Sequence, residues 1–205
     1  MKTLSISRRF TAVGLLVLAG CSGEGAAESA LAAADAAIGS VQAEAAMVAP
    51  DRLAALTTAV ATAGELIAAG SFAEATTAAA AIPAQVEQLQ ADLPGLREEL
   101  TQEWETLGIA MQRNLEDVQA KLEQYSGGQL PPGATPEQME AARATHLAVP
   151  EAWGSAESAW KAGDLAGAME QGFALRARVA EAMTTVGLVS DETAWGNARP
   201  VRPTP

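Results

Sequence analysis

Residues 69–93 read AGSFAEATTAAAAIPAQVEQLQADL, and this stretch decides the fold. Phe72, Ala75, Ala79, Ile82, Val86, Leu89 and Leu93 recur at spacings of three and four, which puts them on one face of an α-helix. Gly70 breaks the pattern that precedes it and Ser71 can cap the next helix, so the stretch holds a tight turn followed by an amphipathic helix. Pro83 cannot donate to the carbonyl of Ala79, which predicts a kink or short break. Leu93-Pro94-Gly95 is stronger punctuation and predicts a boundary between two halves.

Upstream, Leu31, Ala34, Ile38, Val41, Ala45 and Val48 form the stripe of a helix over about 28–48, and Pro50-Asp51 starts a second. Leu53, Leu56, Val60, Ala63 and Ile67 carry that helix to Ala69. Downstream, Leu96, Leu100, Trp104, Leu107, Met111, Leu115, Val118 and Leu122 mark a long helix to Tyr125. Residues 126–136, with Gly127-Gly128 and Pro131-Pro132-Gly133, form a loop, and Thr135-Pro136-Glu137 supplies an N-cap and first turn. A helix to Ala162, bent at Pro150, and a last helix with the stripe Leu165, Ala168, Gly172, Leu175, Val179, Ala182, Val186 complete the pattern.

The fold expected is all-α, an elongated helical bundle of about six helices in two three-helix units, 29–93 and 94–188, followed by a mobile tail at 189–205. Composition agrees, since 49% of residues are hydrophobic but only 4% aromatic, with alanine dominant. The two halves share a turn: Ala69-Gly70-Ser71-Phe72-Ala73-Glu74-Ala75 aligns with Ala162-Gly163-Asp164-Leu165-Ala166-Gly167-Ala168. This turn resembles the inter-helix turn of tetratricopeptide repeats, without the repeat length of about 34 residues that defines that family.

The N-terminus carries an address. Lys2, Arg8 and Arg9 precede an apolar run from Phe10 to Gly20, too short for the roughly twenty residues of a membrane span. Residues 1–20 therefore read as a secretory signal. Its end, Leu18-Ala19-Gly20-Cys21, resembles the lipobox of bacterial lipoproteins. That resemblance implies cleavage before Cys21 by signal peptidase II, then a diacylglycerol on its sulfur and an acyl chain on its new amino group. Two or three such chains hold a protein firmly to a bilayer. Ser22 after the cysteine resembles lipoproteins sorted to the outer membrane of Gram-negative hosts. Residues 21–28 are then the lipidated cysteine and a flexible tether. The second half, from Glu103-Trp104 through Leu130-Pro131-Pro132-Gly133 to Gly163-Asp164-Leu165, also resembles uncharacterised helical lipoproteins of bacterial envelopes, a resemblance that brings no activity with it.

Twenty-five Asp plus Glu face thirteen Lys plus Arg, a formal net charge of −12, and removing the signal takes three bases and no acid. Nucleic acid is a poor partner for such a chain, and the lipid rather than a basic face must bind the membrane. With Cys21 acylated, no cysteine is left for a disulfide.

The search for chemistry yields little. His146 is the single histidine, which excludes a histidine triad or two-histidine metal site within one chain. Met139, His146, Trp153 and Trp160 recur every seven residues on one helix face, read either as a ligand pocket or as a core stripe. Glu98-Glu99, Glu103-Glu105 and Glu116-Asp117 fall on the solvent faces beside Arg97, Arg113 and Lys121. Tyr125 and Trp195 lie outside every stripe and read as exposed, able to anchor a partner or to cover the end of the bundle. No enzyme, metal or non-covalent cofactor is expected. The expectation is a non-enzymatic, lipid-anchored interaction or structural module of the cell envelope, with another envelope protein as partner. The alternative is a lipoprotein holding a small hydrophobic or aromatic molecule near Trp104, Trp153 and Trp160.

Overall fold

The computed structural model describes residues 18–190 and 192–195. Helix α1 spans Leu18–Val48, α2 Pro50–Ala68, α3 Phe72–Gln124, α4 Pro136–Lys161 and α5 Leu165–Thr185, with a short 3-10 helix at Glu192–Trp195. The described residues contain no strand, and the protein is all-α.

The described residues hold five α-helices rather than six, because the third and fourth expected helices are one. Helix α3 runs for 53 residues through both Pro83 and Pro94. A proline inside a helix costs about 3 kcal/mol. The apolar stripe nevertheless keeps its phase across both prolines: Ile82, Val86, Leu89 and Leu93 are buried before Pro94, and Leu107, Ala110 and Met111 after it. The stripe stays at least half-buried past Pro94 through Leu96, Leu100 and Trp104, which outweighs local punctuation, and exposed Pro94 leaves its ring on the solvent side. Helix α4 likewise continues through Pro150.

The chain forms two compact units. The first comprises residues up to Val41 together with Leu53–Gln88, and the second Gln42–Arg52 with residues from Leu89 onward. In the first, Ala27, Ala34, Ala63, Ala75 and Ala79 are completely buried beside Ile38, Val41, Leu56, Ile82 and Val86. Alanine at the contact lets helix backbones approach closely, at the expense of apolar volume. The segment expected to be a flexible tether is partly inside this core. Residues 23–28 lie in α1, Ala27 is fully buried, and a side chain at Gly23 would touch Phe72 Cβ at 3.5 Å. The alanine-rich sequence propagates the helix, and Phe72 supplies the surface it packs on.

The repeated turn forms as expected in both places. Gly70 and Gly163 have φ of 77° and 92°, a conformation that glycine adopts without strain. Ser71 N donates to Leu66 O at 2.9 Å and Asp164 N to Ala159 O at 3.1 Å, the six-to-one bond that closes a helix end. Asp164 then caps α5 by accepting from Gly167 N at 2.9 Å.

In the second unit, α3 beyond Leu89 packs with α4 and α5. Its core contains Leu107, Met111, Val118, Met139, Val149, Leu175, Val179, Met183 and Val186. The corner between α1 and α2 is tied on by two ion pairs, Arg97 to Glu44 and Arg52 to Asp92, each at 2.8 Å. The loop from 125 to 135 ends in a capping box: Thr135 accepts from Gln138 N, and the Gln138 side chain accepts from Thr135 N at 2.8 Å.

The expected mobile tail also behaves differently where it is described. Trp195 is 1% exposed and belongs to the core of the second unit, and Tyr125 is half-buried against that core. Both were expected to be exposed. Asn114 Nδ2 donates to Ala194 O at 3.0 Å, the Arg113 guanidinium donates to the same carbonyl, and the Arg176 guanidinium lies 5.4 Å from the Trp195 ring centroid. These contacts supply the backbone and cation–π partners that a separate tail would lack.

Candidate functional site

The three tryptophans of the second unit converge. Trp104 of α3 stacks on Trp153 of α4, with centroids 4.7 Å apart and planes 7° from parallel, and on Trp160 at 4.9 Å and 5°. Trp153 and Trp160 are seven residues apart on α4, an axial rise of about 10.5 Å. That gap takes one indole between two, so Trp104 is intercalated and both of its faces are covered. Trp153 is oriented further by its Nε1, which donates to Glu157 Oε1 at 3.1 Å, while Lys161 Nζ holds Glu157 Oε2 at 3.4 Å.

Small residues make room for the stack. A side chain on Gly108 would sit 3.5 Å from Trp153 Cζ2. A Cβ on Gly172 of α5 would meet Leu107 Cδ2 at 2.8 Å, Trp104 Cζ3 at 3.4 Å and Trp153 Cζ3 at 3.5 Å.

Beyond the stack lies an open groove of about 600 Å³ between α3 and α4. Its α3 rim is a stripe, Glu105, Ile109, Gln112, Glu116 and Gln119, and its α4 rim is His146, Pro150, Trp153 and Glu157. Trp153 lines this groove together with Trp104, Pro150 and His146. Ile109 is 72% exposed, and Leu147, one turn before Pro150, is 77% exposed.

Of the residues singled out from sequence, Trp104, Trp153 and Trp160 are therefore together, and all three are half-buried. His146 faces the groove, two turns from Trp153, and is not part of the stack. Among the described residues no three His, Cys, Asp or Glu side chains form a group suited to a metal ion. Glu98, Glu99, Glu105, Glu116 and Asp117 are exposed, with Glu98 accepting from Gln102 and Glu116 from Gln112. Leu18, Ala19, Gly20 and Cys21 fall in the first turn of α1, their side chains outside the described ones, and residues 1–17 lie outside the description altogether. No described helix is long and apolar enough to cross a membrane.

The sequence reading named His146 and Trp153 on the α4 rim but not the α3 rim of the groove. Glu105, Ile109, Gln112 and Glu116 recur at i, i+4, i+7 and i+11, a helical stripe beside the core stripe. The exposed isoleucine within a polar stripe was the signal available. Comparison with protein-family models, curated proteins and solved structures finds no match to this chain.

Proposed function

We propose that this chain is a membrane-anchored, non-enzymatic helical lipoprotein that serves as a protein-interaction module of the bacterial cell envelope. The anchor is acylated Cys21, and Leu18-Ala19-Gly20 form the signal peptidase II recognition sequence. The body then lies on the non-cytoplasmic side, facing the periplasm from the outer membrane in a Gram-negative host. The observation that carries the interaction reading is the open α3/α4 groove, with Ile109 exposed among the polar residues of its rim. Concave sites between helices are where ligands and partner segments preferentially bind.

A second reading is favoured by Trp153, Pro150 and His146 lining one groove: a small aromatic molecule held against them. The intercalated Trp104 fills the space directly between Trp153 and Trp160, so such a ligand would extend the stack rather than enter it.

The test is a photo-crosslinking residue placed at Ile109 in cells, with Arg178 on α5 as a control position and Cys21→Ser as an unanchored control. A discrete crosslinked protein from position 109, absent from position 178 and lost in Cys21→Ser, is the expected result. Equal crosslinking from both positions, or none from position 109, would overturn the interaction reading. Labelled palmitate is expected to enter the wild type and not Cys21→Ser.

A further inference from the structure

Along the groove the permanently charged side chains are all carboxylates, and the indole N–H of Trp153 is already donated to Glu157. Glu105 and Glu116 stand on the α3 rim and Glu157 on the α4 rim, and no lysine or arginine lines the channel. Pro150 has no N–H, so the carbonyl of His146 has no amide four residues on to accept from. Glutamines 112 and 119 turn their amide groups to Glu116 and Glu123, at 3.2 and 2.9 Å.

The dimensions select an elongated occupant. Glu105 to Gln119 is four turns of α3, about 21 Å of rise, and His146 to Glu157 is three turns of α4, about 16 Å. A groove bounded by two straight helical stripes accepts a third helix, whose side chains enter between the ridges of the other two. Ile109, Leu115, Pro150 and Trp153 line the groove as apolar groups that can receive the anchors of such a helix.

We propose that the occupant of this groove is a basic amphipathic helix of a partner protein, its apolar stripe on Ile109, Leu115 and Trp153, with flanking Lys or Arg side chains on Glu105 and Glu116. The inference rests on the interaction reading above and names the partner's chemistry. A second copy of this chain is disfavoured, because a protein of net charge −12 would bring carboxylates to an acidic rim. Charge complementarity of this kind sets the choice of partner and the rate of encounter more than the ultimate affinity.

The experiment uses the full chain in nanodiscs of zwitterionic lipid, with empty discs to subtract peptide bound to lipid. Three peptides of about eighteen residues share one apolar helical stripe and differ in having lysine, glutamine or glutamate beside it. Each carries a photo-reactive group on its apolar face, and crosslinks are mapped to α3 and α4.

The lysine peptide is expected to bind about ten-fold or more tighter than the glutamate peptide, to weaken as salt rises, and to crosslink near Ile109. In Glu105→Lys/Glu116→Lys, an exposed pair of substitutions that leaves the core untouched, the preference is expected to reverse. Ile109→Asp is expected to remove binding of every peptide. Equal binding of all three peptides, lost in Ile109→Asp, would overturn the basic-partner inference and leave the interaction reading standing. If no peptide binds above empty discs, both fall.

Discussion

Trp104 lies flat against Trp153, with ring centroids 4.7 Å apart and planes 7° from parallel, and it is held on its opposite face by Trp160. One side chain of α3 thus bridges two residues of α4 that lie two turns apart. Each aromatic pair contributes about 1 kcal/mol beyond its buried area. Trp104→Ala is expected to cost about 3 kcal/mol, the lower end for a tryptophan truncation because the ring is only half-buried. Urea unfolding measures the loss, and the exciton couplet of stacked indoles in far-ultraviolet circular dichroism should vanish with it. A retained couplet would show that Trp153 and Trp160 interact without Trp104.

Two helical glycines are expected to respond in opposite directions to the same change. Nothing lies within 4 Å of a Cβ on exposed Gly154, so Gly154→Ala adds helix propensity and should stabilise by about 0.5–1 kcal/mol. Gly172→Ala gains the same propensity, but its methyl would sit 2.8 Å from Leu107 Cδ2. Leu107 is fully buried, with Trp104 and Trp153 closing the space around it, so it has no room to yield. Overpacking costs about 1–3 kcal/mol, and the net effect should be destabilising by about 1 kcal/mol. Thermal unfolding of the pair checks the opposite signs.

The buried indole of Trp195 is another point of leverage. Its Nε1 finds no hydrogen-bond partner among the described residues, while its ring is almost wholly buried. Trp195→Ala should cost about 3–5 kcal/mol. Trp195→Phe removes a donor that makes no bond, so it should cost much less, about 1 kcal/mol, leaving only a volume deficit. Equal losses in the two variants would place a water or another acceptor on that nitrogen.

The start of α4 makes a prediction in acid. The Glu137 carboxyl is held below its ordinary pKa, first by its own backbone amide and then by the Thr135 side chain. A carboxylate whose pKa falls on folding stabilises the protein above its unfolded pKa, and that contribution disappears as pH falls through the folded value. Glu137→Gln should therefore lower the urea midpoint at about pH 7, and the difference from wild type should shrink as the solution is acidified below the ordinary carboxylate range. A difference independent of pH would assign the effect to side-chain packing instead.

Much of the architecture was legible because it depends on local rules. The spacing of Leu31 through Val48 marks α1, Gly70 and Gly163 need the left-handed turn they adopt, and Thr135 with Gln138 writes a cap directly into the chain. Local rules misled at Pro94 and at residues 23–28. At Pro94 the continuous stripe from Ile82 to Met111 outweighs one missing hydrogen bond. At residues 23–28 burial of Ala27 and contact with Phe72 outweigh two glycines.

The amino-acid sequence by itself determined the helical class, the turns, the acidic surface and the inward stripe of each helix, since all of these follow from spacing, propensity and charge within a few turns of one helix. Tertiary structure alone decided that Trp104 enters between Trp153 and Trp160, that Trp195 packs into the core, and that Glu105, Ile109 and Glu116 face His146 and Pro150 across a groove. Those relationships join residues about 30 to 80 positions apart, and they depend on the rotation of one helix about another, which no periodicity within a single helix specifies.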